Sequence, residues 1–304
     1  MSTQTTQTDA SSTPPISLTS RRGWWHRTRD GAFRGAVTGS VLVGLAVLVA
    51  LIVQSLVEGW PKLNWNLITS FPSSFPEKAG IQSAIFGTFW MVGIVLVVAI
   101  PIGVGAAIYM EQFADTEAWY NRFIDVIIQN LAAVPSIVYG ILGLAFLARG
   151  FLNLGPVVLT AGLTLSFLVL PVVIIASREA LRAVPSSILD GALALGATRW
   201  QGVSRQVLPA AIPGIATGSI LAVSRAIGEA APLLLLGALQ FITFNPTGLN
   251  SSFTALPIQI FNWVSRPNPG FHVAAAAAII VLLCITLLMN AVAIWLRNRY
   301  QQTW

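Results

Sequence analysis

A chain of 304 residues that is 55% hydrophobic and only 9% charged is not an ordinary soluble domain, which carries about 25% charged residues. Its mean hydropathy of +0.75 and several apolar runs of bilayer length mark an integral membrane protein; most runs lack the polar face a soluble helix needs. The net charge of +6 does not point to nucleic acid, because the cations cluster beside apolar runs, where they set topology.

Residues 1 to about 20 are rich in Ser, Thr and Gln and hold too few apolar groups to offset the entropy of ordering. Arg21-Arg22-Gly23-Trp24-Trp25-His26-Arg27 then combines cations with paired indoles, as suits an interface with anionic membrane lipid. We therefore read 1–34 as a disordered cytoplasmic segment with a basic juxtamembrane end. The first apolar run begins too late and runs too long for a cleaved signal peptide.

Six spans follow within a membrane domain over 35–297. They cover about 35–57, 84–110 with Pro101 inside, 123–147 with Asn130 and Pro135, 156–176 with Pro171, 209–239, and 273–297. Proline is tolerated in such spans where neighbours satisfy the freed carbonyl. Asn130, Pro135 and Ser136 read as packing positions ahead of path-lining ones. The lone Cys284 reads as a packing residue. Arg21, Arg22, Arg27, Arg29, Arg34, Arg122, Arg178, Arg182, Arg199, Arg205, Arg297 and Arg299 fall on one side. Lys62, Lys78, Arg149 and Arg266 fall on the other. That bias predicts a multi-pass membrane protein with both termini, including a tail at 298–304, in the cytoplasm. The outer connections, about 58–83 and 240–272, hold Trp60, Trp65 and Trp263, which with Trp90 read as interface anchors; these loops also suit an outer partner. The inner loop at 111–122, with Glu111, Asp115 and Glu117, reads as a solvated turn.

Catalytic chemistry is hard to place. Lys62 follows Pro61 and Lys78 follows Glu77, so no P-loop lysine exists and ATP hydrolysis would have to sit on another polypeptide. His26, His272 and Cys284 are too dispersed for a metal cluster, and no nucleophile has a base and orienting group. Gly103-Val104-Gly105 lies inside a span and reads as helix packing.

Two stretches stand out. The first is the polar loop of about 186–209 between the fourth and fifth spans. Ser187 or Asp190 can cap a short helix, Gly196 permits a sharp turn, and a second stretch presents Trp200 and Val203 on one side with Arg199 and Arg205 at its edges. Such an amphipathic helix can lie on the membrane or dock in a partner. The second is Arg225 and Glu229, one helical turn apart within the fifth span. Gly214, Gly218, Ala222, Ala226 and Ala230 form a small-residue ridge beside them, and Pro232 predicts a kink next to Glu229. An intramembrane Arg costs about 2.5–3.5 kcal/mol on insertion scales and usually faces a partner or a polar cavity. The pair is either part of an anion path, with a guanidinium matched to phosphate oxygens, or an internal ion pair fixing helix geometry.

The loop resembles the EAA loop of ABC importer permeases. Asp190-Gly191-Ala192, then Gly196, then Gln206-Val207-Leu208-Pro209 keep its Gly and Leu-Pro spacing, with Asp for Glu, Gly191 for Ala and Gln206 for an aliphatic residue. Arg225-Ala226-Ile227-Gly228-Glu229-Ala230-Ala231-Pro232-Leu233 is similar to the signature of phosphate ABC importer permeases, with Ala230 in place of Thr. Asn130-Leu131-Ala132-Ala133-Val134-Pro135-Ser136-Ile137-Val138-Tyr139-Gly140 adds to the likeness, and Ala255-Leu256-Pro257-Ile258-Gln259-Ile260-Phe261-Asn262-Trp263 points to the A-type permease of the Pst system. The resemblance covers about 80–297. It implies an all-α, six-helix permease of the type I fold in the bacterial inner membrane that moves phosphate by alternating access and binds no cofactor. The alternatives are a permease for another oxyanion such as sulfate or molybdate, or a proton-coupled secondary carrier that uses Glu229 as its relay. The phosphate permease's partners would be a C-type permease, two ATPase subunits that use ATP and Mg, and an outer phosphate-binding protein. The resemblance further implies that Arg225 and Glu229 line the substrate path. Asp190, Gly191, Ala192, Gly196, Arg199, Trp200, Leu208 and Pro209 would then couple the chain to an ATPase.

Overall fold

The computed structural model describes residues 24–115, 118–238 and 241–300. The segment 1–23, Glu117, Leu239 and the end of the tail at 301–304 lie outside the described residues. Within them the regular secondary structure is helical, apart from one isolated bridge between Val157 and Ser252. In order the helices are α1 (Trp24–Gly59), α2 (Trp65–Thr69), α3 (Gln82–Ile108), α4 (Trp119–Ala133), α5 (Ser136–Leu142) and α6 (Val158–Arg182). They continue as α7 (Ser186–Ala194), α8 (Arg199–Gly202), α9 (Leu208–Gly228), α10 (Ala231–Leu235), α11 (Leu256–Val264) and α12 (Pro269–Tyr300). Wide π turns extend three of them, over Tyr109–Phe113, Gly143–Ala148 and Val203–Val207.

Two compact units divide the chain, Met1–Val53 and Gln54–Trp304. The first holds most of α1, whose apolar side chains, among them Val41 and Leu48, are exposed. The second is built round α3, α6 and α9. Lipid is as apolar as leucine, so close van der Waals packing at small residues has to hold these helices together. Gly162 sits against Ile94, Gly103 against Val173, Gly214 against Ala180 and Gly218 against Ala176. The ridge on α9 is thus the contact with α6, and Ala222 and Ala226 continue it in full burial. Cys284, by contrast, is exposed and not packed.

Proline acts differently at different positions. Pro101 and Pro171 lie inside intact helices. Pro135 ends one: Val134 is extended (φ −65°, ψ 131°), as steric conflict with a following proline ring requires, and α4 and α5 meet at 104°. The third span is therefore broken, not continuous over 123–147. It still crosses. Asp125 on α4 pairs with Arg178 at the C-terminal end of α6, whereas beyond α5 the chain reaches Gly155, whose carbonyl accepts from Thr160 at the N-terminal end of α6. Counted with this bent pair as one span, up to six segments among the described residues are long and apolar enough to cross a membrane.

The fifth span is also broken. Instead of a kinked helix running on past Pro232, α9 stops at Gly228, Glu229 is extended (φ −79°, ψ 115°), and α10 restarts with Pro232 in its first turn, where its missing N–H costs nothing.

Two expectations about the outer connections change. Trp263 on α11 is 1% exposed and packs on Phe271, so it is a core residue, not an interface anchor. The alanine run at Ala274–Ala278 on α12 leaves room for that indole in its cluster. Trp60 and Trp65 are exposed as expected, and Trp90 donates to the Pro246 carbonyl at 3.0 Å.

Candidate functional site

The Gly214–Ala180 and Gly218–Ala176 contacts define an antiparallel register. Carried two turns further, it sets Arg225 level with Val169, near the middle of α6. Arg225 is in the last turn of α9, where the helix dipole favours a cation. Its Nε donates to Glu229 Oε1 at 3.3 Å, and the side chains are 46% and 18% exposed. A guanidinium carries five N–H donors. The Nη groups of Arg225 have no hydrogen bond among the described residues, so a planar fork of donors is left open at mid-depth. The break after Gly228 brings the carboxylate back along the last turn toward this fork.

The two broken spans meet here. A Cβ on Gly140 would lie 2.6 Å from Pro232 Cα, so α5 and α10 touch backbone to backbone. Tyr139, next to that contact, donates its hydroxyl to the Leu131 carbonyl at 2.8 Å. That carbonyl would bond the amide four residues on in a continuous helix, but Pro135 has none. The Arg225 charge is within electrostatic reach of the Tyr139 hydroxyl. Tyr139 and Gly140 close the stretch whose sequence carries the family likeness, but sequence reasoning gave neither of them a role. Asn130, weighed as a packing residue, is exposed.

The loop at 186–209 folds as two helices at an angle. Neither Ser187 nor Asp190 caps: α7 starts at Ser186 after Pro185, and Asp190 lies exposed in its middle with Gly191 and Ala192. Gly196 takes φ +84°, a conformation that excludes most side chains, and turns the chain. Thr198 caps α8 in a reciprocal box with Gln201. Gly202 packs on Leu189, which ties the two helices. Val203 and Val207 turn into the core, so Trp200 and Val203 do not share an exposed side. Trp200 leans on Phe113 (centroids 6.1 Å apart), and Arg199 lies 6.0 Å from the same ring. What faces out is Asp190, Leu195, Gly196, Arg199 and Trp200. Leu208 opens α9 and Pro209 follows in its first turn, so loop and span are one covalent piece.

A charged cluster at the same end went unread. Arg178, nearly buried, pairs with Asp125 and, at 3.4 Å, with Glu111, while Arg182 bonds Glu111 at 2.9 Å and Glu179 at 3.4 Å. Glu111 is therefore not in a solvated turn. It joins the end of α3 to α6, and Asp125 adds α4 around a cavity of about 260 Å³. Among the described residues no group of His, Cys, Asp and Glu has the arrangement of a metal site.

Residues 99–302 match the family described as binding-protein-dependent transport system inner membrane component. The chain is 32% identical over 266 residues to the probable ABC transporter permease protein YqgI of Bacillus subtilis, covering 83% of this chain and 89% of that one. It is 28% identical over 273 residues to the phosphate transport system permease protein PstA of Haemophilus influenzae, covering 88% and 94%. A solved bacterial alginate ABC transporter, in complex with an alginate-bound periplasmic protein, superposes with a TM-score of 0.66 at 16% identity, over 93% of this chain and 99% of that one. At that identity the likeness concerns the fold alone.

Proposed function

This chain belongs to the binding-protein-dependent transport system inner membrane component family, and on that premise we propose that it carries inorganic phosphate. It is a membrane-spanning permease subunit of an ABC importer, with the type I fold, and not itself a catalytic subunit. The observation that carries the phosphate reading is the open Nη fork of Arg225, half exposed at mid-depth with Glu229 at its side. The fork matches two phosphate oxygens. The carboxylate offsets the Arg charge while the site is empty and accepts a hydrogen bond from a protonated phosphate oxygen, which sulfate lacks at neutral pH. This division of labour favours phosphate over other oxyanions.

In this reading the 186–209 loop docks on an ATPase subunit through Asp190, Gly196, Arg199 and Trp200, and α9 carries its movement to Arg225. A C-type permease completes the membrane part, two ATPases bind ATP and Mg, and an outer phosphate-binding protein delivers the substrate. Both termini face the cytoplasm, in agreement with the arginine bias. Alternating access requires each step to favour one state by differential affinity.

The test is ATP-driven uptake by the reconstituted assembly. Arg225→Gln is expected to lower phosphate uptake more than about a hundredfold, the loss of two charge-assisted hydrogen bonds at about 1.5 kcal/mol each, while assembly with the ATPase persists. Normal uptake would sink the assignment, and equal competition by sulfate or molybdate would remove the preference for phosphate.

A further inference from the structure

We propose that a groove between α3, α9 and α12 holds one acyl chain of an anionic phospholipid, whose phosphate pairs with Arg297. The groove has a volume of about 410 Å³ and is lined by Leu96, Ile100, Val223, Met289 and Ala293. Its length is set by α12, where lining residues run from Ile285 to Leu296. Eleven residues at a rise of about 1.5 Å give about 16 Å, close to half of the roughly 30 Å hydrocarbon core and thus to one leaflet.

Apart from Asn290 midway along it, polar groups occur at one end of the groove, in the order a phospholipid requires. Arg297 follows Leu296 at the mouth, and its Nη1 donates to Thr217 Oγ1 at 2.7 Å, which holds the guanidinium beside α9. Its other bonds go to Asn298 Oδ1. All of these acceptors are neutral, and no carboxylate pairs with Arg297 among the described residues. Arg299 adds a second cation in the same turn of α12. Two residues deeper than Thr217, about 3 Å along α9, Ser219 lines the groove. Its hydroxyl is buried without a hydrogen-bond partner among the described residues. A buried donor without an acceptor is costly in an apolar wall. A glycerol ester carbonyl just below a phosphate supplies that acceptor at the right depth. Asn290, the other polar lining residue, lies midway along the trough, and its Oδ1 accepts from Ser224 at 2.5 Å. Cation, hydroxyl and apolar trough therefore follow one another as phosphate, ester and acyl chain do. The net positive rim selects an anionic over a zwitterionic headgroup. A second permease subunit seated on this face would meet the unneutralised Arg297 and the idle hydroxyl, so we favour lipid over protein.

The test is independent of substrate. The full-length chain, purified in detergent with its assembly partners, is exposed to mixed micelles of phosphatidylglycerol and phosphatidylcholine and read by native mass spectrometry. Retention of one phosphatidylglycerol in preference is expected, falling about fivefold in Arg297→Gln and vanishing in Ala293→Trp, which fills the trough. Thermal unfolding establishes that both variants are folded. A photo-cross-linking residue at Ala293 is expected to yield a lipid adduct. Equal retention by both variants, equal retention of phosphatidylcholine, or an adduct to protein in place of lipid each overturns the proposal.

Discussion

Gly140→Ala adds one methyl group where the two broken spans touch. Its Cβ would lie 2.6 Å from Pro232 Cα and 2.7 Å from Pro232 O. Carbon atoms at rest stand about 3.5–4.0 Å apart, so α5 must retreat from α10 by about 1 Å. The obstacle is backbone and cannot rotate away. Overpacking of this kind costs about 1–3 kcal/mol, set against a gain of up to about 1 kcal/mol from replacing glycine in a helix. The control is Gly105→Ala in α3, where an added Cβ meets nothing within 4 Å and only the helical gain remains. The two substitutions are chemically identical, so their difference, about 2 kcal/mol against Gly140→Ala, isolates the contact. Thermal unfolding of both variants in detergent reads that difference as several degrees. Under the proposed function, phosphate uptake should also fall in Gly140→Ala alone, because the retreat displaces α10 and with it Glu229. If the two variants melt together and transport equally, the broken spans do not support each other and the site is built some other way.

Other outcomes are specific enough to check. Gly196→Val places a β-branched residue at φ +84° and should cost about 1–2 kcal/mol locally, seen as loss of copurifying ATPase while the membrane part stays folded. Arg178→Ala leaves Asp125 without its cation and Glu111 with Arg182 alone, and should destabilise the chain by about 1–3 kcal/mol, measured by unfolding in detergent. Tyr139→Phe removes a donor from the Leu131 carbonyl and should cost about 1 kcal/mol, with a matching rise in amide exchange at the α4–α5 joint.

The number of spans, their approximate limits and the small-residue ridge were legible because each is a local pattern. Whether a proline bends or breaks was not. Pro101, Pro171 and Pro135 all lie in runs apolar enough to read as spans, and the tertiary setting at Pro135 favours the break: Tyr139 gives the Leu131 carbonyl a second donor beside the Val134 amide, and Gly140 makes room for Pro232. The Glu111–Arg178 pair joins residues 67 apart, and no local window holds both. Trp263 looked like an anchor because its loop is interfacial in composition, and it is buried because a distant alanine run accommodates it. Arg225 and Glu229 were visible as costly charges in an apolar run; the open Nη fork needed the structure.

Gly214 and Gly218 touch α6 directly, and Ala222 and Ala226 continue that seam in full burial, so α9 is held to α6 along most of its length. A helix seamed in this way has no free arm to swing. A displacement imposed at Leu208 reaches Arg225, about 26 Å away at 1.5 Å per residue, as a shift of the α6–α9 pair moving as one rod. The rod ends at Gly228, so α10 need not follow, and the whole excursion is taken up at the joint formed by Glu229 and Ala230.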